Sequence, residues 1–285
     1  MSPPFTKFHG FGNDYIVIES EQLTDRNDLG GFARLICNRH YGAGADGIAV
    51  VSRMETGEAD FQVRIFNPDG SEAALSGNGT RCAAAYLYYK GLWASDELRL
   101  STRSGIKRYV LIEKPEYGKY VFDSELGQPK FDSGSVPFLV DSPMEKIIDY
   151  PLQVGSETLE ITALQMGNPN CCIFVESFVD LNWCHLGPLI ENHKQFPERT
   201  NVIFVRVQDR QMIELRIWER GVGETTASGT CSCAAAIASM IHGKTERSID
   251  VRMPGGQARI CWRDDGEVVI QAPAELVYEG VWLAS

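Results

Sequence analysis

A constant shift of 152 residues lays residues 64–91 on residues 216–243 without a gap. Eight of those 28 positions are identical: Arg64/Arg216, Ile65/Ile217, Glu72/Glu224, Ser76/Ser228, Gly77/Gly229, Ala83/Ala235, Ala84/Ala236 and Gly91/Gly243. An accidental match of that length at ordinary composition gives about two identities, so the chain reads as an internal duplication. A duplicated chain folds as two copies of one unit, and 285 residues match two domains at roughly 150 residues each.

Both copies carry the same local signals. Residues 61–66 and 213–218 alternate apolar and polar side chains, the pattern of a half-buried strand. A polar, glycine-containing loop follows in each. Ser76 and Ser228 then stand at N-cap positions ahead of the Ala-rich stretches 82–89 and 233–241, which stop at Gly91 and Gly243. Further strands are expected at 110–113, 202–207, 248–253 and 268–271. Small residues let a sheet approach a helix closely, and a helix that is apolar all round must be buried all round. The expected fold class is therefore α/β (α+β), with two pseudo-symmetric domains, each a mainly antiparallel sheet wrapped around a central Ala-rich helix.

Charge and composition exclude several functions. A net charge of −11 and a pI near 5.0 argue against nucleic acid as a partner, and the closest basic cluster is the pair Lys107-Arg108. There is no run of 18 apolar residues and no apolar stretch suited to a signal peptide near the start, so no membrane association and a cytoplasmic location are expected. The eight cysteines show no C-x-x-C spacing and are expected to be free, mostly buried thiols. The five histidines do not gather beside Cys171-Cys172 or Cys231 and Cys233, so no metal is assigned. The segment 42–47 satisfies G-x-G-x-x-G, but a helix at 32–40 precedes it and a strand at 48–51 follows it. A dinucleotide-binding turn requires the reverse order. Tyr86, Tyr88 and Tyr89 read as helix packing, His9 as a hydrogen-bonding residue of the first loop, and Trp218 as core or pocket wall.

The two helix starts are the candidate site. The first N–H groups of a helix lack partners and carry the positive end of its dipole, so Ser76-Gly77-Asn78 and Ser228-Gly229-Thr230 could each receive an anion. Ordinary N-capping explains either serine alone, and turn formation explains any single loop asparagine. Two equivalent helix starts brought together by a pseudo-twofold axis would place Ser76 and Ser228 on opposite faces of one small carboxylate. That arrangement removes a proton from one face of a carbon and returns one to the other. Asn13, Asn67, Asn168, Asn201, Glu219 and Arg220 offer groups to fix such a substrate.

The segments 9–14 (HGFGND), 66–72 (FNPDGSE), 76–82 (SGNGTRC), 166–169 (MGNP), 197–202 (PERTNV) and 219–225 (ERGVGET) together resemble those of diaminopimelate epimerases, in the family's order and over nearly the whole chain. The resemblance implies two domains, 1–126 plus 272–285 and 127–271, the final strand returning to the first. It implies cofactor-independent interconversion of LL- and meso-diaminopimelate by proton exchange at the α-carbon, in lysine and peptidoglycan precursor synthesis, by a homodimer. Carried over, Gly77, Asn78, Gly229 and Thr230 would grip the carboxylate at the reacting carbon. Asn67, Asn201 and Arg220 would hold the distal carboxylate, and Asn13, Asn168 and Glu219 would engage amino groups or position the reacting end. The planar fork of Arg220 suits a carboxylate.

The family's catalytic pair is cysteine, and here both positions are serine, Ser76 and Ser228. A thiol titrates near 8.5 and supplies a base that a hydroxyl does not supply unless activated. Asn170 stands where the family usually has histidine. Three readings follow: an epimerase whose serines are activated by Glu219 or another carboxylate; a related amino-acid racemase, isomerase or dehydratase; or a catalytically impaired amino-acid-binding homologue. Cys82, Cys231 and Cys233 lie too far into the helices to replace the missing thiols.

Overall fold

The computed structural model describes residues 2–55 and 57–283, so the outer limits of the expected domains, 1 and 285, lie outside the described residues. The chain divides into two compact units, Met1–Ser124 with Gln271–Ser285, and Glu125–Ile270. Among the described residues, no helix is long and apolar enough to cross a membrane.

The first unit opens with a hairpin, β1 (Pro4–Gly10) and β2 (Asn13–Glu19). Its two turn residues, Phe11 and Gly12, both have positive φ, 57° and 84°, the mirror-image turn whose twist matches the strands. Helix α1 (Leu29–Ile36), capped by the Asp28 carboxylate on the Gly31 N–H, crosses to β3 (Gly47–Arg53), which pairs parallel to β2. Strand β4 (Phe61–Phe66) runs antiparallel to β3, and the short β5 (Glu72–Ala73) folds back on β4. After α2 (Gly77–Tyr89), strand β6 (Glu97–Thr102) pairs parallel to β4, and β7 (Gly105–Glu113) and β8 (Lys119–Gly127) continue antiparallel.

The second unit repeats this order. Strands β9 (Ile147–Val154), β10 (Glu157–Gln165) and β11 (Pro169–Phe174) are antiparallel, and α3 (Trp183–Glu191) crosses to β12 (Asn201–Asp209), parallel to β11. Then come β13 (Met212–Glu219), β14 (Gly223–Thr225), α4 (Gly229–Ile241), β15 (Ser248–Met253), parallel to β13, and β16 (Gly256–Trp262). The last strand, β17 (Val268–Val281), pairs with β1 and with β8 and so closes the first unit's sheet into a ring around α2.

Both central helices are buried on every side, as their composition requires. In α2, Cys82, Ala83, Ala84, Ala85 and Leu87 are fully buried against Phe8, Val17, Val63, Leu98 and Phe122. In α4, Cys231 through Ala238 are likewise buried. Burial of one large side chain such as Phe122 contributes about 2–3 kcal/mol. Both helices begin earlier than their Ala-rich stretches, at Gly77 and Gly229, and end where expected, with Gly91 and Gly243 at φ 67° and 65°. Among the buried residues of α2, Arg81, only 2% exposed, carries a charge.

Strand registers extend the duplication beyond the 28 residues matched in sequence. Ile48 pairs with Phe66 as Val202 pairs with Trp218, which makes Gly47 equivalent to Asn201. Tyr15 pairs with Gly47 as Asn170 pairs with Asn201, which makes Tyr15 equivalent to Asn170 and Asn13 equivalent to Asn168. One repeated pair has diverged in use. Arg64 makes a two-pronged ion pair with Glu72, whereas Arg216 lies over the Phe178 ring and Glu224 accepts from Cys184.

Candidate active site

Within the first unit, Ser76 has extended backbone and its Oγ accepts the Gly79 N–H at 3.0 Å, a true helix cap. The same oxygen donates to the Tyr15 hydroxyl at 2.9 Å. Gly77 is exposed with open space above its Cα, so a ligand can reach the first turn of the helix. Asn78 donates to Asn13 Oδ1 at 3.0 Å and accepts from Arg81 at 2.5 Å. Asn13 in turn donates to Asp46 at 2.8 Å, and Asp46 is fixed by Arg39. Arg81 also donates to the Pro273 carbonyl and faces the Phe11 ring. Burial of its guanidinium lowers its pKa below the usual arginine value. The sequence reading missed Arg81, although it lies within the segment 76–82. Asn67 sits apart from this chain of bonds: its amide donates to Ser71 Oγ and its backbone shapes the turn before β5.

Within the second unit, Ser228 occupies the N-cap position but its side chain makes no cap bond, contrary to the sequence expectation. Its hydroxyl is turned to the Glu219 carboxylate instead, donating at 2.9 Å. Glu219 ends β13 and pairs with Gly223, so the hairpin into β14 carries it to the start of α4. The carboxylate fixes the Ser228 rotamer through a charge-assisted bond, roughly twice as strong as a neutral one, and in that rotamer Oγ makes no cap bond. Gly229 starts the helix, where an added Cβ would stand 3.7 Å from Ile270 Cδ1, and Thr230 Oγ1 lies 3.5 Å from Ser228 Oγ.

The loop asparagines of the second unit form one network. Asn170, fully buried, donates to the Asn168 carbonyl at 2.6 Å and to its side chain at 3.1 Å. Asn201 donates to Asn170 at 3.1 Å and accepts the Arg220 backbone N–H at 2.9 Å. The Arg220 guanidinium donates to the Glu198 carbonyl at 2.9 Å. Asn170 is thus a bridge between Asn168 and Asn201, a role that sequence reading did not assign to it.

The thiols are placed as expected. Cys37, Cys82, Cys171, Cys172, Cys231 and Cys233 are buried, Cys184 is exposed and Cys261 is half-buried. Burial pushes the Cys82 thiol up to about 12 and the Cys231 thiol well above its ordinary value, so neither supplies a thiolate near neutral pH. His9 accepts the Gly12 N–H and steadies the first hairpin. Trp218 packs on Gly187 and donates to Glu191.

Residues 5–128 and 162–277 match the family described as diaminopimelate epimerase. The diaminopimelate epimerase of Pelotomaculum thermopropionicum is 39% identical over 277 residues, 97% of each chain. That of Caldanaerobacter subterraneus subsp. tengcongensis is 40% identical over 276 residues, 97% of this chain and 98% of its own. Among solved structures, a PhzF-family phenazine biosynthesis protein from Bacillus anthracis superposes with a TM-score of 0.66 at 17% identity over 100% of both chains. A hydroxyproline epimerase from Agrobacterium vitis does so with a TM-score of 0.64 at 14% identity, over 99% of this chain and 92% of its own. At those identities the structural matches establish the fold.

Proposed function

Because this chain belongs to the diaminopimelate epimerase family, we propose that it interconverts LL- and meso-diaminopimelate by exchanging the α-proton between Ser76 and Ser228. The chain is an isomerase of the epimerase kind; the substrate and the serine chemistry are the proposal. The observation that carries it is the 2.9 Å hydrogen bond from Ser228 to Glu219. A hydroxyl at a helix start, paired with a carboxylate, can pass a proton on as it takes one from carbon, which an isolated serine cannot do.

In this reading the first turns of α2 and α4 hold the α-carboxylate through the N–H groups at Gly77, Asn78, Gly229 and Thr230. Asn67, Asn201 and Arg220 take the distal carboxylate, and Asn13 and Asn168 the amino groups. The reaction needs no pyridoxal phosphate and feeds lysine and peptidoglycan precursor synthesis.

The test is proton NMR of the protein with LL-diaminopimelate in deuterated water, without added cofactor. Loss of the α-proton signal with appearance of the meso form, abolished by Ser76→Ala and by Ser228→Ala, is the expected result. Glu219→Gln should lower the rate by about 10²–10⁴-fold, the range of a lost acid–base group. A second reading, a proton shift in a related amino acid, is favoured by Asn170 in place of the family's histidine. Binding of diaminopimelate without exchange would mean that the family's chemistry has been lost or redirected.

A further inference from the structure

The duplicated units treat their serines differently. In the second unit the Ser228 hydroxyl donates to a carboxylate, Glu219. In the first unit the position equivalent to Glu219 is Asn67, whose amide is engaged with Ser71, and among the described residues no carboxylate is bonded to Ser76. The partner of Ser76 comes from a different strand. Tyr15 on β2 brings its phenol to 2.9 Å from Ser76 Oγ, whereas the equivalent Asn170 on β11 is turned to Asn168 and Asn201.

The Tyr15 ring is built into place. It is 5% exposed, and a Cβ added at Gly47 or Gly79 would stand 2.6 Å or 2.9 Å from its Cε1. Two glycines therefore make the slot that aims the phenol at Ser76. Burial raises the phenol to about 12, which keeps it protonated near neutral pH.

We propose that Tyr15 is the proton reserve for Ser76, so that Tyr15–Ser76 is an acid pair and Glu219–Ser228 a base pair. This rests on the function proposed above. As Ser228 takes the α-proton, its own proton passes to the Glu219 carboxylate, and the electron pair of the broken C–H bond stays on the α-carbon. That pair then takes the Ser76 proton, which rests in the bond to Tyr15; the bond reverses as the Tyr15 O–H bond breaks and its proton moves to Ser76 Oγ. The net change is a protonated Glu219 and a Tyr15 phenolate, with both serines restored as hydroxyls. Solvent resets the pair after product leaves, or the reverse reaction does. A pair of hydroxyls can make this transfer because each oxygen has one proton to give and lone pairs to receive another. The phenol is a far stronger acid than the α-carbon, so protonation of the carbanion runs downhill. Tyr15 acts through Ser76 and is a positioning residue.

Tyr15→Phe keeps the ring in its glycine slot and removes only the hydroxyl. The experiment follows α-proton loss and epimerisation in deuterated water, starting separately from LL- and meso-diaminopimelate, for the parent protein and the variant. The variant should lower kcat for epimerisation by at least about tenfold with KM held within about twofold. One isomer should still lose its α-proton without inverting, since the Ser228 side is intact, and the other should not. Undiminished epimerisation by Tyr15→Phe, or an equal loss of exchange from both isomers, would overturn the assignment while leaving the proposed function standing. If the parent protein exchanges neither isomer, the proposed function fails and the Tyr15 assignment falls with it. Thermal unfolding of the variant within a few degrees of the parent excludes a loss of fold as the cause of the isomer-dependent result.

Discussion

Asn201 donates its side-chain amide to Asn170 Oδ1 at 3.1 Å, and Asn170 passes its own amide to Asn168. Both Asn170 and Asn201 are buried, so water does not replace a lost partner. Asn170→Leu leaves the Asn201 amide and two Asn168 acceptors without that partner. The Asn201 amide is then a buried orphan, worth about 1–3 kcal/mol, so the variant should lose about that much in urea unfolding. Its affinity for diaminopimelate should fall as well, because Asn201 also holds the Arg220 backbone. Wild-type stability would show that the network relaxes around the substitution.

Asp14 sits 8% exposed between Arg39 and Lys7. Burial alone would raise its pKa, but the hydrogen bonds from Arg39 and Lys7 overcome burial and lower it from 3.8 to about 2. A carboxyl with a depressed pKa stabilises the fold fully above 3.8, and that contribution disappears as pH falls toward 2. The shift corresponds to about 2 kcal/mol at neutral pH. Asp14→Asn should therefore be less stable than the parent by about that amount or more at pH 6. The difference between the two proteins should shrink between pH 4 and pH 2, as read by urea unfolding at each pH.

Two glycines two residues apart should answer alanine oppositely. A Cβ at Gly79 would lie 2.9 Å from Tyr15 Cε1 and 3.0 Å from Ile65 Cδ1, both in the core. Gly79→Ala should cost about 1–3 kcal/mol by overpacking. A Cβ at Gly77 meets nothing within 4 Å, and Gly77 is already helical. Gly77→Ala should leave thermal stability equal or slightly raised, by up to about 1 kcal/mol. Its added methyl stands where a carboxylate would approach the helix start, so diaminopimelate binding by calorimetry should weaken at least about tenfold. Unchanged binding would place the ligand elsewhere.

These contrasts show which features the sequence carried openly. The strand, loop and helix of each repeat were legible because periodicity and small residues are local properties, and residues 64–91 kept them in both copies. The equivalence of Tyr15 with Asn170 and of Gly47 with Asn201 was not legible, because side-chain identity has diverged while only the backbone register persists. The Tyr15–Ser76 bond joins residues 61 positions apart, and the Arg81–Pro273 bond joins residues 192 apart. No local pattern encodes such partners. The capping role expected of Ser228 failed for a related reason: a carboxylate from β13 holds its hydroxyl in a rotamer that makes no cap bond, and only the fold brings that carboxylate near.

The thiols supply the last prediction. If the chemistry runs on hydroxyls, alkylation of accessible cysteines should leave it intact. Cys184 is the exposed thiol, while Cys82, Cys231 and Cys233 are fully buried and burial holds them protonated. Thiolate is the form that reacts, so both access and protonation protect the three helix cysteines. Iodoacetamide at pH 8 should label Cys184 and Cys261, and the helix cysteines only after denaturation, as mapped by peptide mass spectrometry. Exchange of the diaminopimelate α-proton should survive labelling at Cys184. Loss of exchange in step with labelling of Cys82 or Cys231 would mean that a buried thiol reaches the substrate during turnover, and the serines would then be bystanders.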